Sequence, residues 1–298
     1  MNTSTIRPTN FDDIIGQDDA IKRLRIMSNG CKNSGQPMPH LLIDGPPGLG
    51  KTTIACAIAN ELSVKLHTIN AASIRSVKHI MPYLMGMEPR SVLFIDEIHR
   101  LPKLVEEFLY PVMEDFRIDL LVENKPDSID VCQFTLVGAT TSGGSLSQPF
   151  YDRFTIKEHL SFYSDDVLAK LARSNAVKLG IETTHEQMVE IAKRSKGTPR
   201  ILNARLQWYK NYVAAYPEDR DDIDKIFQCQ GIDEKGFDSN DKKYIEVLKK
   251  NRTMPLGLKS ISSMTGIAME TIENSIEPYM VRMGYIVRTS KGRIIGRL

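Results

Sequence analysis

The chain has 298 residues, a net charge of +2, 41% apolar and 26% charged residues, and four scattered cysteines. That is the balance of a globular protein long enough for two or three domains, and it excludes a strongly basic chain whose overall charge alone would announce nucleic acid. It also excludes a membrane-spanning chain, because no stretch of about 18 apolar residues occurs, and the cysteines (Cys31, Cys56, Cys132, Cys229) have neither zinc nor redox spacing. The N-terminus lacks the apolar core of a secretory leader, so the expected location is the cytoplasm.

In chain order, Arg7-Pro8 is held extended by the proline, and Phe11, Ile14 and Ile15 can cover an apolar patch. Residues 18–31 are amphipathic and predict a helix. His40-Leu41-Leu42-Ile43 then predicts a buried strand. The nine residues Gly45-Pro46-Pro47-Gly48-Leu49-Gly50-Lys51-Thr52-Thr53 fit the P-loop pattern, and the alanine-rich residues 54–62 predict the helix that follows. Strand, glycine loop and helix together make a phosphate cradle. Backbone N–H groups of the loop close on phosphate oxygens, and the positive end of the helix dipole faces the same charge. Lys51 is expected to reach the outer phosphates of ATP, and Thr52 to place its hydroxyl on Mg²⁺.

Ser91-Val92-Leu93-Phe94-Ile95-Asp96-Glu97 predicts a fully buried parallel strand delivering two carboxylates at its end. In an open α/β sheet that end is where ligands bind. Asp96 is the candidate metal ligand, and Glu97 the candidate for orienting a water toward the γ-phosphate. Residues 133–138 form another β-rich run, which brings Thr140 and Thr141 to the same edge. Arg153 follows a loop rich in Gly, Ser and Pro, and an exposed arginine there can act as a finger on a nucleotide held by a neighbouring subunit.

From Ser164 the composition turns helical. Ser164 caps a helix ending at Gly180, Thr184 and Gln187 form a capping box for a second, and Thr198-Pro199 opens a third. Arg200 stands in the first turn of the third helix, where a cation opposes the helix dipole. An anion contact would explain it. Residues 239–250, 258–264 and 268–283 predict three further helices. A strand, turn and strand follow, carrying Arg288, Lys291 and Arg293. Helix-turn-helix with a basic hairpin is a winged-helix pattern suited to phosphate contacts on DNA. No acidic residue follows Glu277, whereas Arg282 and Arg297 extend the basic end.

Several stretches together resemble the RuvB family of AAA+ ATPases, the bacterial Holliday-junction branch-migration motors. They are Ile14-Ile15-Gly16-Gln17, the P-loop, Phe94-Ile95-Asp96-Glu97-Ile98-His99-Arg100-Leu101, Tyr110-Pro111-Val112-Met113-Glu114-Asp115-Phe116, Val137-Gly138-Ala139-Thr140-Thr141, Gly197-Thr198-Pro199-Arg200 and Glu277-Pro278-Tyr279. The resemblance implies an α/β P-loop ATPase domain (1–161), a helical lid (162–232) and a C-terminal winged helix (233–298). It implies a homo-hexameric ring that uses ATP and Mg²⁺ to pull duplex DNA, with RuvA as adaptor. By the same resemblance Ile6, Arg7, Glu114, Asp115, Phe116 and Tyr163 surround the adenine. Gly45, Gly48, Gly50, Lys51, Thr52 and Thr53 hold phosphates and metal. Arg153 is the finger acting in trans, Arg200 senses the γ-phosphate, and Arg288, Lys291 and Arg293 meet DNA. The chain departs from the family at Ser142 and Met269, where arginines are usual, at Phe150-Tyr151, and in a shorter, more acidic segment holding Glu123, Asp127 and Asp130. From the residues alone, a clamp-loader or helicase-loader ATPase and an ATP-switched DNA-binding regulator remain open.

Overall fold

Leu41, Leu42 and Ile43 are at most 2% exposed, as a strand covered on both faces must be. In a computed structural model, which describes residues 6–122, 125–141, 143–252 and 254–296, they form β1 (Leu41–Asp44). Glu123, Ser142 and Arg297 lie outside the described residues. After helix α1 (Asp18–Ser34) and β1 come α2 (Lys51–Leu62), β2 (Leu66–Asn70), α3 (Val77–Met85), β3 (Val92–Asp96) and α4 (Lys103–Glu114). A hairpin of β4 (Arg117–Val122) and β5 (Lys125–Asp130) follows, then β6 (Thr135–Thr140), α5 (Gln148–Asp152) and β7 (Ile156–His159). The main sheet is five-stranded in the order β2-β3-β6-β1-β7, and every pairing in it is parallel.

That order decides the chemistry. β6 lies between β3 and β1, with Ile95 opposite Gly138 and Asp44 opposite Thr140. The residues after β1, β3 and β6 therefore leave one edge together. The apolar layer behind them includes Leu93, Ile95, Ile98, Leu136, Phe150 and Phe154, all buried. Gly138 leaves room for this packing: a Cβ there would meet Ile98 Cδ1 at 2.8 Å and force that side chain to shift.

The remaining elements are α6 (Asp165–Leu179), α7 (His185–Lys193), α8 (Pro199–Ala215), α9 (Ile223–Gln228), α10 (Ser239–Lys250), α11 (Leu258–Thr265), α12 (Met269–Thr271), α13 (Glu277–Arg282) and the hairpin β8 (Ile286–Thr289) with β9 (Gly292–Ile295). Ser164 caps α6 through a hydrogen bond from Val167 N, Thr184 and Gln187 form the reciprocal box of α7, and Gly180 stops α6 at φ +64°. The long helix predicted over 268–283 is interrupted by a π-helical turn at Ile272–Ile276. Pro278 explains the break. It has no N–H to donate and its ring crowds the carbonyl four residues back, so the turn before it widens.

The contacts divide the chain into two compact units. One holds the residues up to Gly45 together with Gly50–Ser161, and the other holds Pro46–Leu49 together with the residues from Phe162 on. Four residues of the P-loop thus pack with the helical unit, while the loop's two ends pack with the sheet. Among the described residues no helix is long and apolar enough to cross a membrane.

Candidate nucleotide site and basic wing

The loop between β1 and α2 is bent by three glycines at positive φ: Gly45 at +144°, Gly48 at +84° and Gly50 at +100°. At Gly45 a Cβ would fall 2.5 Å from Leu160 O, and at Gly48 it would fall 3.0 Å from Arg200 Cβ. Only glycine lets the chain pass so close. Gly45 N donates to Thr140 O at 3.2 Å, which ties the loop to the end of β6. Helix α2 begins with no side-chain cap and no acidic residue in its first turn. Its N-terminal N–H groups and dipole therefore suit an anion. Lys51 is buried and its Nζ donates to Gly45 O at 2.7 Å, which holds the ammonium at the loop. These features fit a nucleotide phosphate chain. Thr52, at the start of α2, and Asp96, the last residue of β3, supply the oxygen donors that a hard cation takes.

Beyond β3, Glu97 takes the left-handed conformation at φ +51°. Residues held in this strained region cluster at functional sites. Its carboxylate accepts from Thr141 Oγ1 at 3.2 Å and lies 3.4 Å from His99 Nδ1. His99 Nδ1 is also 2.9 Å from Thr140 Oγ1. The structure thus gathers Glu97, Thr140 and Thr141 at one edge through His99, a residue the sequence reading left without a role.

In the helical unit, Arg200 N donates to Gly48 O at 3.3 Å, and its side chain runs beside Gly48. Tyr163 is buried, and its N donates to Gly197 O at 2.9 Å. Arg200, Tyr163 and Gly48 are therefore assembled together within this unit.

The other expected adenine neighbours are arranged differently. Ile6 is buried and Arg7 is exposed. Phe116 packs its ring 6.0 Å from His40 and 5.9 Å from Phe134, which precede β1 and β6. His40, whose Nε2 lies 2.9 Å from Met113 O, has its pKa lowered by burial. Phe116 thus sits at the amino end of β1 and the P-loop at the carboxyl end. At about 3.3 Å per residue the strand separates them by roughly 15 Å. Glu114 instead pairs with Arg153 at 3.2 Å. Arg153 is not exposed as the loop-end position suggested. Its side chain is only 19% exposed, donates to Pro149 O at 2.7 Å and lies 4.1 Å over the Tyr110 ring. The short helix α5 turns it back onto the neighbouring α4. Asp115 is exposed at the end of α4.

On the wing, β8 and β9 set Arg288 opposite Arg293, with Lys291 exposed at the turn. Both arginines converge on the fully buried Glu277. Arg288 Nε donates to it at 2.6 Å, Arg293 Nε at 2.8 Å and Tyr244 Oη at 2.9 Å. Burial pushes the Tyr244 hydroxyl far above its ordinary pKa, and the Glu277 charge adds to the shift. The hydrogen bond to Glu277 likewise raises Arg293. Arg288 is half exposed, whereas Arg293 is only 16% exposed.

The family profile of the Holliday junction DNA helicase RuvB P-loop domain matches residues 6–160, that of the RuvB AAA lid domain residues 163–233, and that of the RuvB C-terminal winged helix domain residues 234–297. The chain belongs to the RuvB family. It is 39% identical over 298 residues to the Holliday junction branch migration complex subunit RuvB of Rhodopirellula baltica, covering 97% of this chain and 81% of that one. To the Campylobacter hominis protein of the same name it is 41% identical, covering 98% of this chain and 88% of the relative. The solved structure of the Thermotoga maritima RuvB Holliday junction branch migration motor superposes with a TM-score of 0.90 at 35% identity, covering 98% of this chain and 96% of that one. Membership settles the fold class as a P-loop AAA+ domain with a lid and a winged helix. Met269, where the resemblance leads an arginine to be expected, opens α12 and is 46% exposed.

Proposed function

We propose that this chain is an ATP-driven DNA motor that moves the branch point of a Holliday junction, and that it works in the cytoplasm as a homo-hexameric ring. The observation that carries the reading is the convergence of the P-loop, Asp96-Glu97 and Thr140 on one sheet edge of a chain that ends in a winged helix. We divide the chain at 1–161 for the ATPase domain, 162–232 for the lid and 233–298 for the winged helix.

In this reading Gly45, Gly48, Gly50, Lys51, Thr52 and Thr53 bind the phosphates. Mg²⁺, held through Thr52 and Asp96, would neutralise charge on the outer phosphates. Glu97 orients the attacking water, Thr140 senses the γ-phosphate or helps to hold that water, and Arg200 answers the γ-phosphate. Ile6, Arg7 and Tyr163 are the residues assigned to binding the base. Glu114, Asp115, Phe116 and Arg153 belong to a second face of the chain. From the amino end of β1 they reach a nucleotide only when it is held by a neighbouring copy, which is why hydrolysis needs the ring. A RuvA-like adaptor would dock at the hairpin β4–β5, whose acidic character, with Asp119 and Asp127 exposed, departs from the family and weighs against RuvA itself as the partner.

The deciding experiment gives the purified chain a synthetic four-way junction, Mg²⁺ and ATP. ATP-dependent movement of the branch point is expected. A loader ATPase would hydrolyse ATP without moving it, and a switch protein would bind ATP without releasing phosphate. DNA binding by the wing has its own signature. Replacing Arg288 or Lys291 by Ala should make the log–log salt dependence of duplex affinity shallower by about 0.9 for each phosphate no longer neutralised. An unchanged slope in both variants would remove the wing from the DNA interface.

A further inference from the structure

Arg282 is the last residue of α13, and it is exposed, so it contributes little to the core. Among the described residues it forms no ion pair. Its guanidinium instead reaches the segment that leads into the lid. Nη1 donates to Tyr163 O at 3.3 Å, and the group lies 5.2 Å from the centre of the Phe162 ring. A Cβ on Gly197 would fall 3.0 Å from the same nitrogen and 3.1 Å from Phe162 Cβ, so the guanidinium and the Phe162 side chain both lie close against this glycine at φ +69°. Tyr163 and Gly197 are joined by a backbone hydrogen bond of 2.9 Å. Three residues past Gly197, Arg200 is bonded to Gly48 of the P-loop. One guanidinium thus touches both strands of the strap that carries Tyr163 and Arg200.

The opposite end of α13 holds the wing. Glu277 opens the helix and gathers Arg288 and Arg293. Six helical residues make a short stiff rod, with about 7.5 Å of rise between its first and last residues. Arg288 and Arg293 are thus held at one end of this helix, and Arg282 stands at the other beside Tyr163 and Gly197.

We propose that Arg282 is a positioning residue that couples DNA on the wing to the nucleotide-facing residues Tyr163 and Arg200. The inference rests on the motor reading above, in which those residues face ATP and the wing faces DNA. Its mechanism is a change in affinity rather than in chemistry. Duplex on the wing fixes α13, α13 fixes the Phe162–Tyr163 and Gly197 strap through Arg282, and a fixed strap binds nucleotide more tightly.

The test is a thermodynamic linkage measurement on the full chain. The affinity of a non-hydrolysable ATP analogue with Mg²⁺ is measured with and without saturating duplex, and the affinity of duplex with and without the analogue. In the wild type the two ratios must be equal, because coupling is reciprocal. Arg282→Ala is expected to lower both ratios about fivefold or more, with each binary affinity staying within about twofold of wild type. Arg282→Lys, which keeps a cation able to reach Tyr163 O, should restore part of the coupling. Phe162→Leu, which removes the ring face, should lose part of it. If Arg282→Ala leaves both ratios intact, or weakens analogue binding equally with and without DNA, Arg282 is structural and the inference fails. If the wild type binds both ligands with ratios of one, the inference fails while the motor reading survives. If the wild type binds neither analogue nor duplex, the motor reading itself falls and the inference with it.

Discussion

Glu97→Gln is expected to bind ATP with affinity close to wild type and to hydrolyse it about 10²–10⁴-fold more slowly, the usual worth of a positioned acid–base group. The substitution is nearly isosteric. The amide oxygen can still accept from Thr141 Oγ1, which in the wild type donates to the carboxylate at 3.2 Å. The backbone keeps the same positive φ, so the turn after β3 is not asked to change. What disappears is the negative charge that orients and polarises a water. The parts that bind phosphate, namely the glycine loop, the start of α2 and Lys51, are untouched. The variant should therefore fall in kcat with KM little altered, the pattern of an interaction made chiefly in the transition state. Lys51→Ala is the contrasting control, since it removes the buried ammonium at the loop and should lose binding as well. Single-turnover hydrolysis and nucleotide titration on the same preparations separate the two. Hydrolysis by Glu97→Gln within about threefold of wild type would show that another group positions the water.

That prediction draws on what the sequence already displayed. The strand, glycine loop and helix around Lys51 are local, and each piece carries its own pattern. The same holds for the Ser164 cap, the Thr184–Gln187 box and the helix of residues 239–250, which the structure places at the expected residues. Non-local pairing was less legible. β2 and β7 are four or five residues long and partly exposed, so they carry little periodic signal, and nothing local fixes the order β2-β3-β6-β1-β7. The role of His99 depends on that order, because Thr140 comes beside it only when β6 pairs with β3. The wing shows the same limit. Arg288 and Arg293 read as free basic residues, but the hairpin register brings them to Glu277, 11 and 16 positions earlier in the chain. Composition could reveal the charges but not which of them were already paired.

Lys196→Met is expected to lower stability by about 3–5 kcal/mol, a fall of roughly 10 °C in the melting temperature. The reason lies at the start of α10. Asp238 caps that helix by accepting from Asn240 N and Asp241 N at 2.8 and 3.1 Å, and Asp241 returns the bond by accepting from Asp238 N at 2.8 Å. This second capping box leaves Asp241 only 1% exposed, a carboxylate that water cannot solvate. Lys196, itself buried, donates to Asp241 and lies 3.5 Å from Asp238. Removing the ammonium strands the buried charge, which is the costly way to break such a pair. The pH dependence follows. Burial raises the Asp241 carboxyl above its ordinary pKa, while the Lys196 charge pulls it down, so losing Lys196 raises it further. A group whose folded pKa exceeds its unfolded value stabilises fully below the unfolded value, and that stability is lost as pH rises through the folded one. The variant should therefore lie nearest the wild type below pH ~4, the ordinary carboxylate range, and fall progressively behind it toward neutrality. Lys196→Met/Asp241→Asn should recover most of the loss at neutral pH, since an Asn oxygen can still accept from Asp238 N while no charge is buried. Calorimetric melts of the three proteins across this range decide the matter, and a double variant no more stable than the single one would mean that Lys196 acts through packing instead of charge.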